Sequence, residues 1–132
     1  MYDTRLIDIQ KQVSYWSDSS IEDWQVANEL VLAGHTRQSL FFAQLALEKM
    51  LKALVCQSTN DLAPRIHNLV RLAEIANLEL TADQVDILAE MNAFNIEGRY
   101  PDVLLPVFSL DEAISHIQRA EEVYLWLKNQ LS

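Results

Sequence analysis

Residues that interrupt regular structure are scarce in this chain. Two glycines and three prolines serve 132 residues. That is too little punctuation for many short strands, and it favours long helices. Two glycines also exclude a glycine-rich phosphate loop. Cysteine occurs once, at Cys56, so neither an intramolecular disulfide nor a cysteine-based zinc site can form. A lone cysteine of this kind is expected to be packed and inert. Basic residues are few: 10 Lys and Arg stand against 19 Asp and Glu, for a formal net charge of -9. Phosphate neutralisation needs clustered Lys and Arg, so a general nucleic-acid binder is excluded and no DNA partner is expected. A small local basic site stays open. No run is apolar and long enough to span a membrane, and the start of the chain lacks a signal peptide's apolar stretch. A cytoplasmic location is expected.

Apolar residues make up 50% of the chain and charged residues 22%, which supports a real core and one domain over residues 1–132. Helical periodicity carries the rest. Up to Ala33, the residues Trp16, Ser20, Trp24, Ala27, Leu30 and Val31 recur at steps of three and four. Ser17-Asp18-Ser19-Ser20 is either a break with Ser20 as N-cap or the polar face of one long helix. Gly34 is a C-terminal stop. From Arg37 to Gln57, Leu40, Ala43, Leu47, Met50, Leu51 and Leu54 form one apolar face, widened by Phe42, Ala46 and Ala53. A helix so broadly apolar is central. Its polar sector holds Gln44, Glu48 and Lys52, with Lys49 nearby. Phe41 and Leu45 project into that sector, which marks it as a partner surface.

A third helix is expected from about Arg65 to Asn77 after Pro64, with Ile66, Leu69, Val70 and Ala73 inward. Thr81-Ala82-Asp83-Gln84 is a capping-box pattern opening a fourth helix to about Asn95. Its inward side is expected to be Val85, Leu88, Ala89 and Met91. Pro101 and Pro106 forbid continuous helix between Gly98 and Phe108. Ser109-Leu110-Asp111-Glu112 opens the last helix, with Ala113, Ile117, Ala120, Tyr124, Leu127 and Leu131 on one face. Short connections between amphipathic helices imply an all-α, up-and-down bundle of about five helices with a four-helix core.

Candidate chemistry is sparse. Glu112 and His116 are four apart, whereas a di-iron bundle needs Glu and His three apart on two helices, so no metal site is expected. His35 follows a glycine and reads as a loop residue. His67 falls in the expected first turn of the third helix, where it either pins that turn or meets a ligand. Glu48 and Lys52 form an i, i+4 pair in the favourable order, which alone reads as a surface salt bridge. Arg99-Tyr100-Pro101-Asp102 can hold a phosphate through Arg99, stack or hydrogen-bond through Tyr100, and orient the Arg through Asp102. The same residues can equally tie a loop to the bundle.

Taken in order, several segments resemble the HEPN domain family. They are the helix ending Ala27-Asn28-Glu29-Leu30-Val31-Leu32-Ala33-Gly34, the helix Phe42-Ala43-Gln44-Leu45-Ala46-Leu47-Glu48-Lys49-Met50-Leu51-Lys52-Ala53-Leu54, the stretch His67-Asn68-Leu69-Val70-Arg71-Leu72, and Arg99-Tyr100-Pro101. The match spans about residues 12 to 130. The resemblance implies a helical bundle, usually a homodimer, in nucleotide- or RNA-related roles. It also implies a frequent pairing with a small nucleotidyltransferase as a toxin–antitoxin system. No cofactor is expected. Active toxins of the family are metal-independent ribonucleases with an Arg followed, after four to six residues, by His. Here those positions hold Leu104, Leu105 and Pro106, none of which transfers a proton. Enzymatic activity is therefore open, and three readings stand: a binding module, a ribonuclease with a degenerate or relocated site, and a purely structural oligomerisation bundle. The ligand-binding set expected from sequence is Arg99, Tyr100, Asp102, Lys49, Lys52, Glu48 and His67. Arg99 leads as the catalytic candidate, with His67 or His116 as the substitute for the missing histidine if folding brings one near it.

Overall fold

Asp8 starts the first helix by accepting the Lys11 amide through its side chain, and α1 then runs Ile9–Leu32. The computed structural model describes residues 7–95 and 108–132. Helix α1 passes through Ser17-Asp18-Ser19-Ser20 without a break. Of the two expectations, the single long helix holds, but Ser17 and Ser20 are buried rather than part of a solvated polar face. The Ser20 hydroxyl donates to the Ala46 carbonyl on the next helix. Small residues at this crossing let the two backbones approach, and the hydroxyl finds a partner that a polar group needs once buried.

Helix α1 ends at Gly34. Its φ of +84° suits glycine, while the His35 and Gly34 amides donate to the Leu30 and Val31 carbonyls. That is a Schellman closure. Helix α2 then runs Thr36–Thr59. Contacts pair Trp16 with Lys52, Ser19 with Lys49, and Ser20 with Ala46. Rising numbers on one helix meet falling numbers on the other, so α1 and α2 are antiparallel.

Helix α3 is Leu69–Ile75, shorter than expected. Asn68 is the reason. Its side chain accepts the Arg71 amide, and asparagine is a strong N-cap, so the helix begins there and not at Pro64. Asn77, in left-handed conformation, closes its other end. Helix α4, Ala82–Met91, opens with the expected capping box of Thr81 and Gln84, then tightens into a 3-10 turn, Asn92–Asn95. Its buried residues are Ile87, Leu88 and Met91; Val85 is half-buried and Ala89 exposed. The inward face is therefore rotated from the expected one, and Phe94 of the turn joins the core. Helix α5, Leu110–Lys128, opens with the Ser109 and Glu112 capping box.

All the described regular structure is helical. Helix α2 is central and touches α1, α3, α5 and the 3-10 turn. Its C-terminal end meets that of α5, where Gln57 donates to the Gln130 carbonyl. Trp24 of α1 meets Tyr124 of α5, and Glu90 of α4 meets Arg119 of α5. These contacts give α1, α2, α4 and α5 alternating directions, an up-and-down bundle. Among the described residues, no helix is long and apolar enough to cross a membrane.

Candidate functional site

Helix α2 buries its polar sector. Gln44, Glu48 and Lys52 are all buried, on a helix whose broad apolar face is buried as well. The Glu48–Lys52 pair is therefore an internal contact, with Nζ to Oε2 at 3.2 Å and side chains 7% and 6% exposed. Sequence spacing alone reads this pair as a surface salt bridge. Its partners explain the burial. Gln44 Nε2 donates to Glu48 Oε1 at 3.2 Å. Lys52 Nζ sits 5.1 Å from the centre of the Trp16 ring of α1, a cation–π contact. His67 Nδ1 lies 3.0 Å from Glu48 Oε2.

His67 stands one residue before the N-cap of α3, outside the helix. Its side chain is 41% exposed, while the carboxylate that holds it is 6% exposed. The ring thus bridges a buried charge pair and the surface. Beside it opens a cavity of about 230 Å³ lined by His67, Asn68, Asn92 and Asn95. Asn92 shapes this opening: its Oδ1 accepts the Leu69 amide at 2.8 Å, which locks the start of α3 to the 3-10 turn. Asn68, Asn92 and Asn95 were not visible as a group in the sequence, because a 24-residue separation joins Asn68 to Asn92.

Lys49 faces the α1 side. Its ammonium lies 2.7 Å from Asp23 Oδ2 and 2.8 Å from Ser19 Oγ, a clamp between the two longest helices. The structure thus joins Glu48, Lys52 and His67 in one cluster and gives Lys49 different partners. Arg99, Tyr100 and Asp102 lie in 96–107, outside the described residues. Phe41 and Leu45 are half-buried. His35 is the exposed N-cap of α2 and makes no side-chain cap bond. His116 of α5 packs edge-on against Phe94 and Phe108. A second cleft, of about 290 Å³, lies between α1 and α5 against Val31, Leu32, Ile114 and Ile117. It is mostly apolar, so the chemistry concentrates at His67.

Cys56 is buried. Burial pushes its thiol above the ordinary value, and the nearby Asp61 adds to the rise. The thiolate is the reactive form, so this residue is a packing group rather than a nucleophile.

The chain belongs to the HEPN domain family, whose model matches residues 13–130. It is similar in fold to TT1696 from Thermus thermophilus, with a TM-score of 0.76, 20% identity, and coverage of 91% of this chain and 98% of that one. It is likewise similar to ST0689, an archaeal HEPN homologue, with a TM-score of 0.72, 22% identity and the same coverage of 91% and 98%. No curated protein sequence matches the chain.

Proposed function

We propose that this chain is a HEPN-type binding module that holds the phosphate of a nucleotide or RNA at the cleft beside His67. One observation carries the reading. A half-exposed imidazole, fixed from behind by a buried carboxylate, stands at the mouth of a cavity lined by three asparagines. Oriented imidazoles and amides are the kind of sparse, convergent polar groups that ligand sites use. The family resemblance implies nucleotide- and RNA-related roles, and Arg99, outside the described residues, is the phosphate-holding residue expected from the sequence. Titration of the full chain with nucleotides and short RNA tests it, with His67→Ala and Arg99→Ala beside the wild type. Saturable binding weakened by either change is expected. No saturable signal up to millimolar ligand would overturn the proposal.

A homodimer through Phe41 and Leu45, or docking of a partner nucleotidyltransferase on the same face, belongs to this reading. Light scattering that shows a monodisperse monomer at micromolar concentration would remove the dimer.

A second reading is a metal-independent ribonuclease in which His67 takes the place of the missing histidine after Arg99. The Glu48–His67 contact favours it, because a carboxylate at one ring nitrogen holds an imidazole ready to accept a proton at the other. RNA cleavage without metal, lost in His67→Ala and in Arg99→Ala, is the expected signature. Cleavage insensitive to both changes would sink it.

A further inference from the structure

Among the described residues, the exposed large apolar side chains are Tyr15, Ile21, Leu32, Leu62, Leu110 and Leu125. Ile21 and Leu32 belong to α1, and Leu110 and Leu125 to α5. Helical spacing sets these four along one seam. Asn28, Leu32, Ile114, Gln118 and Glu121 line the cleft between the two helices. Ile21 lies two turns before Asn28, Leu125 one turn after Glu121, and Leu110 one turn before Ile114. Each therefore shares the side of its helix that faces the cleft.

The two helices run antiparallel, as the Trp24–Tyr124 stack and the shared lining of Leu32 and Ile114 require. Ile21 thus comes level with Leu125, and Leu32 with Ile114. Apolar side chains stand at both ends of the seam, with Asn28, Gln118 and Glu121 between them. From Ile21 to Leu32 the distance along the axis is roughly 16 Å at the ordinary helical rise. Leu32 is 85% exposed. Apolar side chains gathered along one groove mark an interaction surface, where scattered ones do not.

Shape and charge choose the occupant. A groove between two antiparallel helices fits a third helix, whose anchors at i, i+4, i+7 and i+11 cover the same span. Glu121 lines the cleft, and Asp18, Glu29 and Asp111 stand exposed beside it. Among the described residues, these four carboxylates make no ion pair. The cations of α1 and α5 lie elsewhere. Arg119 is held by Glu90 of α4, while Lys11 and Lys128 stand beyond the Ile21–Leu125 end. A second copy of this chain would set acid against acid here, whereas a cationic helix meets its complement. Phe94 and Phe108, which border 96–107, pack on His116, whose other neighbour is Glu90 of α4, so neither ring fills the seam.

We infer that the α1–α5 seam is a docking groove for a cationic amphipathic helix of a partner protein. That helix carries apolar anchors at the stated spacing and Lys or Arg on its flanks. No residue of the groove lines the His67 cleft, so this inference stands apart from the nucleotide reading.

Calorimetric titration of the full chain with synthetic peptides of one length tests it. The first peptide has leucines at i, i+4, i+7 and i+11 flanked by lysines. The second replaces those lysines by glutamates, and the third scrambles the first. Saturable micromolar binding is expected for the first alone, weakening as salt is added. Leu32→Ser/Leu125→Ser and Asp18→Lys/Glu121→Lys are each expected to weaken it about tenfold. These positions lie outside the core, and thermal melts followed by circular dichroism check that each variant stays folded. Glu79→Lys/Asp86→Lys makes the same change in net charge away from the seam and is expected to alter affinity by no more than about twofold. Equal binding of the scramble, equal loss in the Glu79/Asp86 variant, indifference to the seam variants, or no saturable binding overturns the inference. A dimer by light scattering that Leu32→Ser/Leu125→Ser dissociates gives the seam to a second copy and overturns it as well.

Discussion

Trp24 of α1 lies flat on Tyr124 of α5, with ring centroids 4.6 Å apart and planes only 7° from parallel. Both rings are buried. This stack is a direct bridge between the first and last helices, which otherwise meet along a largely apolar cleft. Trp24→Ala or Tyr124→Ala is expected to cost ~3–5 kcal/mol by denaturant unfolding, the usual loss for a large buried aromatic. Tyr124→Phe keeps the stack, and its cost at neutral pH is expected to stay within about 1 kcal/mol.

The Glu48–Lys52 pair gives a different signature. Lys52→Met leaves a buried carboxylate without its cation, and a loss of ~3–5 kcal/mol is expected. Glu48→Leu/Lys52→Met removes both charges and should cost less than the single change, because no unpaired charge stays inside. A double-mutant cycle on urea midpoints measures the difference. A double variant less stable than Lys52→Met would show that the Glu48 carboxylate stabilises the fold even without its cation.

Much of the fold was legible because its signals are local. The Thr81–Gln84 and Ser109–Glu112 boxes and the Gly34 stop are each settled within about one turn of chain. Asn68 was a stronger cap than the proline rule allowed for, so α3 began later than expected. The candidate site was only half legible. Periodicity put Gln44, Glu48 and Lys52 on one polar strip of α2, which is correct. It could not show that strip to be interior, since that depends on Trp16 arriving from α1 and on His67 arriving across a 19-residue separation. A run of i, i+4 polar residues looks the same on a wet face as on a buried one.

Alkaline pH should weaken the fold through two buried groups. Burial raises the Cys56 thiol above its ordinary value of 9.0 and the Tyr124 phenol above 10.0, the latter partly offset by the Ser20 hydroxyl. Below these ordinary values both groups are protonated in the folded and unfolded chain alike, and their protonation adds no pH dependence. As pH rises past them, the unfolded chain releases protons that the folded chain retains. Stability therefore falls with increasing pH, up to the raised folded-state values. Cys56→Ala and Tyr124→Phe are each expected to flatten part of the fall in unfolding free energy between about pH 9 and 11. An unchanged slope in both variants would show that other groups control it.

The tight closure at Gly34 has a kinetic consequence. Helices α1 and α2 are joined by Ala33–His35 alone, so little loop-closure entropy opposes their pairing. Helix α5 arrives from the far end of the chain and must wait for a surface to land on. The α1–α2 hairpin is thus the natural folding nucleus, with α5 added late. Val13→Ala, which loosens α1 against Ala53 and Cys56 of α2, is expected to slow folding. Val123→Ala in α5 should chiefly speed unfolding, so the last helix sets the lifetime of the native state while the first two set how quickly it is reached.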